Sequence, residues 1–224
     1  MSVAHVTPAM VEMVRLATIP AAELLAETRS ALLLVDIQNR FIYGPSEGSS
    51  SPAESVLPPI SKLLGKARSL DVPRFFVTVD HPPGADSAPW MRRIAGMGSD
   101  VKGRLDQPAL PPWASEIPKA IAPQPGEAHL TKCRFSAFYE TGLEVLLRGT
   151  GVETVVIGGV ASYGCIIATY IDACTRGFFP LLCAEAIAGA QPAMHKAAMD
   201  FMSPNALLGV DEITRIWDGQ RRSS

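Results

Sequence analysis

The sequence has 224 residues, of which 47% are hydrophobic and 19% charged, with a net charge of −2. This composition excludes a disordered chain and provides enough apolar residues for one sizeable core. The balanced charge argues against nucleic-acid binding and against a polybasic membrane anchor, and no apolar run reaches the roughly 18–20 residues that span a bilayer. Four cysteines without CxxC spacing predict neither a disulfide framework nor a zinc cluster. We therefore expect a reduced, cytoplasmic protein without nucleic-acid or membrane partners.

The N-terminal third begins with a helical pattern over residues 8–28 that is interrupted at Pro20. We predict an arm at 1–30, whose apolar residues favour subunit contacts, and a single domain at 31–224. The run ALLLVD at 31–36 is continuously apolar up to its acid, which is typical of a strand buried on both faces. A loop at 44–55, a helix at 53–69 and a strand at 74–79 follow.

The remaining two thirds continue this alternation. Prolines concentrate between 82 and 125, which predicts a long surface loop that contributes walls to a binding site. Further strands are predicted at 128–132, 152–159 and 178–186 and at the edge at 213–217, and helices at 140–148, 165–175 and 192–202. The fold class expected from this order is α/β, with a doubly wound, mainly parallel sheet of about six strands and helices on both faces.

Ligands of such sheets bind outside the carboxyl ends of the strands, so site residues are sought there. Asp36 follows the first strand, Lys132 ends the third, and Cys165 follows the fourth and opens a helix. The helix N-terminus and Lys132 both favour a thiolate at Cys165. Asp36 could accept the thiol proton and return it to a leaving group. These three residues predict nucleophilic catalysis by Cys165.

The segments around these residues carry a family resemblance. They are LLLVDIQNRF with Asp36, LTKCRFSAFYETGLEVLLRGTGVETVVIGGVASYGC with Lys132 and Cys165, and IIATYIDACTRGF beyond. The chain resembles the isochorismatase-like, or cysteine hydrolase, superfamily from about residue 31 to residue 203. The resemblance implies a Cys165–Asp36–Lys132 triad, a cis peptide between Val160 and Ala161, and an oxyanion hole formed by the N–H groups of Ala161 and Cys165. It also implies a homo-oligomer, dimer or tetramer.

The reaction implied by the resemblance is cleavage of a C–N bond in a small amide or N-carbamoyl substrate through a thioester. A first alternative is isochorismatase-type vinyl ether hydrolysis with Asp36 as the acid, in which Cys165 is idle. A second is a catalytically inactive binding module of the same fold. Metal-dependent relatives hold their metal with an Asp-x-His pattern, whereas Asp80 and His81 are adjacent here and point opposite ways on an extended chain. We therefore predict neither a metal nor another cofactor.

Substrate contacts are predicted from parity and side-chain type. Gln38 follows Asp36 by two residues and Arg134 follows Lys132 by two, so on an extended chain each points to the same side as its partner. Arg134 also suits a substrate carboxylate. Aromatic walls are predicted at Phe41, Trp90, Phe138 and Tyr163, and Trp113 is a further candidate.

Overall fold

The computed structural model describes residues 19–44, 46–81, 89–90, 111–202 and 206–222. Within these ranges a sheet of six parallel strands has the order β3-β2-β1-β4-β5-β6. The strands are β1 (Ser30–Val35), β2 (Arg74–Val79), β3 (Ala128–Lys132), β4 (Thr154–Val160), β5 (Phe179–Ala188) and β6 (Leu207–Leu208). The order reverses direction next to β1, as in a doubly wound sheet. The predicted fold class is confirmed.

Helices cover both faces of the sheet. They are α1 (Ala21–Glu27), α2 (Asn39–Ile42), α3 (Leu57–Ser69), α4 (Pro112–Ser115), α5 (Leu143–Gly149), α6 (Ile167–Thr175), α7 (Pro192–Met202) and α8 (Val210–Arg222). One apolar cluster joins the sheet to α1, α3 and α8, and the other joins it to α5, α6 and α7. Each face therefore has its own core, which explains why β1 and β4 are buried along their whole length.

The carboxyl ends of β1 and β4 approach each other at a glycine. Gly159 has a φ of +130°, and a Cβ built there would lie 1.9 Å from the carbonyl oxygen of Val35. Only glycine fits this conformation and this spacing. The close approach brings the residue after β1, Asp36, next to the chain that leaves β4.

The predicted edge strand at 213–217 is wrong, because these residues belong to helix α8. Ile213, Ile216 and Trp217 are buried on one face of that helix, and the indole N–H of Trp217 donates to Ser30 Oγ at 2.9 Å. The edge of the sheet is β6, which pairs with β5 through Leu207 and Leu208.

Two predicted segments fall partly outside the described residues. Of the arm at 1–30, residues 1–18 lie outside, while α1 packs on the domain through the buried Leu25 and Ser30 already belongs to β1. Of the loop at 82–125, residues 82–88 and 91–110 lie outside. The remainder contains α4 and a 3₁₀ turn at Lys119–Ile121. No helix in the described ranges is long and apolar enough to cross a membrane.

Candidate active site

Three strand ends supply the predicted catalytic side chains. Asp36 directly follows β1 and has a φ of +54°, a left-handed conformation that is uncommon outside glycine and that occurs at functional sites. Lys132 is the last residue of β3. Cys165 lies in a π-helical turn, Ser162–Ile166, between β4 and α6, in which the Ile166 N–H donates to the Ala161 carbonyl oxygen at 3.2 Å.

The Lys132 ammonium group connects these strand ends. Its Nζ donates to Asp36 Oδ2 at 2.8 Å, to Cys165 Sγ at 3.2 Å and to the carbonyl oxygen of Arg134 at 3.0 Å. All three N–H bonds of the ammonium group therefore have acceptors. The side chains of Lys132 and Asp36 are 0% and 2% exposed. The structure thus brings together the three predicted catalytic residues in one cluster, in which Lys132 and Asp36 are buried and Cys165 is partly exposed.

Burial shifts the protonation equilibria of the cluster. Burial raises the pKa of the Asp36 carboxyl, although Lys132 and Cys165 counteract it. Burial would lower the pKa of Lys132, but Asp36 and Cys165 outweigh this effect and raise it. Burial and the Asp36 charge together raise the pKa of the Cys165 thiol, and Lys132 offsets only part of the rise. Burial therefore opposes the thiolate that the helix N-terminus and Lys132 favour.

A cavity of about 610 Å³ opens onto the cluster. Asp36 and Cys165 lie at its wall together with the end of β4, Val160 and Ala161, and the peptide between Val160 and Ala161 is cis. The other described residues that line it are Phe41, Ser51, Pro52, Ala53, Ser55, Val79, His81, Trp90, Arg134, Phe135, Tyr163, Gly164, Ile187, Ala188, Gly189, Ala190, Pro192 and His195. Most of these side chains are apolar, as in small-molecule sites.

Four of the six predicted substrate contacts line this cavity: Phe41, Trp90, Arg134 and Tyr163. Trp90 packs against Phe135 with ring centroids 4.8 Å apart, and the Arg134 guanidinium lies 4.7 Å above the Trp90 ring. The structure therefore joins three of the wall residues into one packed group.

The other two predicted contacts lie elsewhere. Gln38 is buried, donates to the carbonyl oxygen of Ser115 at 3.0 Å and accepts from the Val79 N–H at 3.1 Å, so it holds the loops behind the site. Phe138 is buried in the core and stacks on Phe178 with centroids 5.9 Å apart. The prediction for Gln38 assumed an extended chain, whereas the backbone turns directly after β1. Phe138 was predicted from its aromatic side chain alone, and that side chain lies in the core.

Trp113 stacks on Tyr43 and is not among the described lining residues. Conversely, His195 is a wall residue that was not predicted from the sequence. His195 lies on α7, lines the cavity, and its Nδ1 is 2.9 Å from Oγ of Ser162 in the turn that carries Cys165. The signal available in the sequence was its position in the first turn of the helix after β5, at the carboxyl edge of the sheet. No group of three or more metal-ligating side chains occurs within the described ranges.

The fold and the site together define a class of protein: doubly wound α/β domains with an Asp–Lys–Cys cluster at the strand ends. The particular family follows from comparison, because residues 30–211 match the model of the isochorismatase domain. The chain belongs to the isochorismatase family, and the predicted family is confirmed.

Relatives in this family are amidases by name. The chain is 30% identical to a maleamate amidohydrolase of Pseudomonas putida over 174 residues, covering 75% of this chain and 76% of the relative. It is 29% identical to an N-carbamoylsarcosine amidase of an Arthrobacter species over 171 residues, covering 73% of this chain and 61% of the relative. These relatives are hydrolases that act on C–N bonds, which is the enzyme class predicted for this chain.

Solved structures agree with the fold. An N-carbamoylsarcosine amidase from Thermoplasma acidophilum has a TM-score of 0.64 at 25% identity, and 82% of this chain and 97% of that chain are covered. A cysteine hydrolase from Pseudomonas syringae pv. phaseolicola has a TM-score of 0.70 at 21% identity, with coverage of 86% and 93%. The latter similarity concerns the fold alone.

Proposed function

We propose that this chain hydrolyses the C–N bond of an amide or N-carbamoyl compound with Cys165 as the nucleophile. The observation that supports this most directly is the contact of Lys132 Nζ with both Asp36 Oδ2, at 2.8 Å, and Cys165 Sγ, at 3.2 Å, at the wall of an apolar cavity. The names of the amidase relatives support the same reaction class.

Attack requires that the thiol proton leaves Cys165 as its sulfur bonds to the substrate carbonyl carbon. In our proposal Asp36 takes this proton. The transfer leaves the net charge of the buried cluster unchanged, since an ionised Asp36 with a neutral thiol becomes a neutral Asp36 with a thiolate beside Lys132. A buried site disfavours uncompensated charge, so proton transfer from Cys165 to Asp36 forms the thiolate at a low cost in free energy. The raised pKa of Cys165 fits a thiolate formed only with substrate in place.

The tetrahedral intermediate carries its negative charge on the former carbonyl oxygen. We assign the N–H groups of Ala161 and Cys165 as the donors that stabilise this oxyanion. Asp36 then donates its proton to the leaving nitrogen and the C–N bond breaks. An amine or ammonia is released, and the acyl group remains on Cys165 as a thioester. Water adds to the thioester while Asp36 accepts a proton from it. The C–S bond then breaks, the acid product leaves, and Asp36 returns the proton to the sulfur, which restores the Cys165 thiol.

The test is a screen of primary amides and N-carbamoyl compounds for ammonia release, followed by acid quench and mass spectrometry of the enzyme. We expect a mass increase equal to the acyl group, located on the peptide that contains Cys165. In Cys165→Ala, ammonia release should fall at least about a thousandfold. Cys174→Ala is the matched control, because Cys174 is exposed on α6 and lies outside the cavity lining.

The alternatives give different results. Ether hydrolysis of the isochorismatase type would survive in Cys165→Ala, and no acyl group would appear on the enzyme. A binding module would release no ammonia from any compound in wild type or in Cys174→Ala. Either result would overturn the proposal.

A further inference from the structure

We propose that the substrate's acyl portion is uncharged and apolar, of the size of a medium alkyl chain or a phenyl ring. This inference rests on the proposed function and deepens it by naming the substrate class. It follows from three features of the described cavity: its volume, the apolar side chains of its walls, and the contacts that the neighbouring cationic side chains already make.

The volume is too large for the smallest amides. A cavity of about 610 Å³ lies within the range of roughly 300–1,000 Å³ that encloses drug-sized ligands. An amide of four or five heavy atoms would occupy only the part next to Cys165 and leave the rest to water. Water against apolar walls is unfavourable, so a longer acyl group gains binding by displacing it.

The walls are apolar and aromatic on several sides. Phe41 lines the cavity, and Trp90 with Phe135 forms a packed aromatic pair in its wall. Val160 and Ile187, at the ends of β4 and β5, add aliphatic surface. An alkyl or aryl group matches these surfaces, whereas a carboxylate against them would lose hydration without equivalent partners.

Among the described residues, the cationic side chains of Lys132 and Arg134 lie next to the cavity, and both already have partners. Lys132 is 0% exposed and has acceptors for all three of its N–H bonds, including the carbonyl oxygen of Arg134. Arg134 packs its guanidinium against the Trp90 ring and donates from Nη1 to the Cys133 carbonyl oxygen at 2.6 Å. A substrate carboxylate would have to compete with these contacts. The geometry therefore favours a neutral acyl group, in contrast to the carboxylate that the presence of Arg134 suggested from sequence.

The first arm of the test is a substrate series: acetamide, butyramide, hexanamide, phenylacetamide and the monoamide of adipic acid. Hexanamide and the monoamide have the same six carbons and differ in a terminal methyl or carboxylate. We expect kcat/KM to rise about three- to fourfold for each added methylene. Hexanamide should exceed the monoamide by at least tenfold. A flat or falling series, or a preference for the monoamide, would overturn the inference.

The second arm changes the wall. Phe41→Ala should lower kcat/KM for hexanamide by about tenfold and for acetamide by less than threefold, since the larger acyl group has more apolar surface to lose against the removed ring. Phe201→Ala is the matched control, because Phe201 is an exposed aromatic residue on α7 outside the described lining. An equal loss for both amides would contradict the inference.

Binding to Cys165→Ala, measured by calorimetry with the same amides, separates the two proposals. If wild type turns over none of them but affinity follows the series, the proposed reaction fails and the apolar acyl site stands. If amides are turned over but affinity and kcat/KM ignore chain length, the reaction stands and the acyl inference fails. If no amide binds or reacts, both fail.

Discussion

Removing the charge of Lys132 should destabilise the fold, and the amount is a direct test of the buried cluster. In Lys132→Met the side-chain length is nearly kept, while Asp36, whose side chain is 2% exposed, loses the ammonium group 2.8 Å away. The Asp36 Oδ1 atom is already buried without a hydrogen-bond partner among the described residues. The variant therefore leaves a buried carboxylate with little compensation.

The expected loss is about 3–5 kcal/mol in the free energy of unfolding at pH 7, the range observed when one partner of a buried ion pair is removed. Neutralising the second partner should recover most of it. We expect the free energy of unfolding of the double variant Asp36→Asn, Lys132→Met to lie within about 2 kcal/mol of wild type, because two neutral side chains leave no unpaired charge buried.

The loss should also depend on pH, with a defined sign. Burial raises the pKa of Asp36 in the folded protein, and removing Lys132 raises it further. A carboxyl group with a raised folded pKa binds its proton more tightly in the folded state, so stability is retained below the unfolded pKa of about 3.9 and falls as pH rises above it. The deficit of Lys132→Met should be small near pH 4 and grow toward pH 7.

Urea unfolding followed by tryptophan fluorescence, at several pH values and in all four proteins of the cycle, measures these quantities. A Lys132→Met protein within about 0.5 kcal/mol of wild type at pH 7 would refute the reasoning. So would a double variant whose loss equals the sum of the two single losses, because the two side chains would then be energetically independent.

Three further predictions concern other positions. Asp36→Asn should abolish turnover yet speed alkylation of Cys165 by iodoacetamide near pH 8, because the Asp36 charge is one cause of the raised thiol pKa; unchanged or slower alkylation would contradict this. Phe138→Ala should cost about 3–5 kcal/mol in urea unfolding, as for a core aromatic residue, with KM unchanged; a raised KM would return Phe138 to the site. Glu127→Gln should cost about 1.5–3 kcal/mol at pH 7, because its carboxylate accepts from two arginines. These contacts lower the pKa of Glu127 to about 2, so in unfolding experiments the difference from wild type should vanish as pH falls from about 4.5 to about 2.

The parallel sheet with helices on both faces was predictable because its central strands are continuous apolar runs, which the chain can bury only between two helical layers. The edge was not. Residues 213–217 read as a strand in a five-residue window, but Ile213, Ile216 and Trp217 have helical spacing, and α8 buries all three. The true edge, β6, has two residues and is defined by its pairing with β5 rather than by any pattern of its own.

The cluster of Asp36, Lys132 and Cys165 was predictable from one rule, that strand ends of a parallel sheet share an edge. The rule locates Asp36, Lys132 and Cys165 without any side-chain geometry. Phe138 was predicted from its aromatic side chain alone, which does not separate a wall residue from a core residue. Alternation fails for Gln38, because it applies only while the chain stays extended, and the positive φ of Asp36 ends that regularity at once. The strand-end rule misses His195, since the position of α7 against the Cys165 turn depends on packing between distant segments.

The topology also explains why the cation at position 132 is a lysine. Strand β2 lies between β3 and β1, so a side chain from the end of β3 must extend past β2 to reach Asp36. At the end of this reach a single nitrogen meets three acceptors from three different segments: Asp36 Oδ2, Cys165 Sγ and the Arg134 carbonyl oxygen. A compact ammonium group with three rotatable donors satisfies this arrangement, whereas the planar fork of an arginine spreads its donors and needs more volume. Because the site leaves Lys132 with 0% exposure, that volume is absent, and the cluster depends on a point charge rather than on positive charge alone.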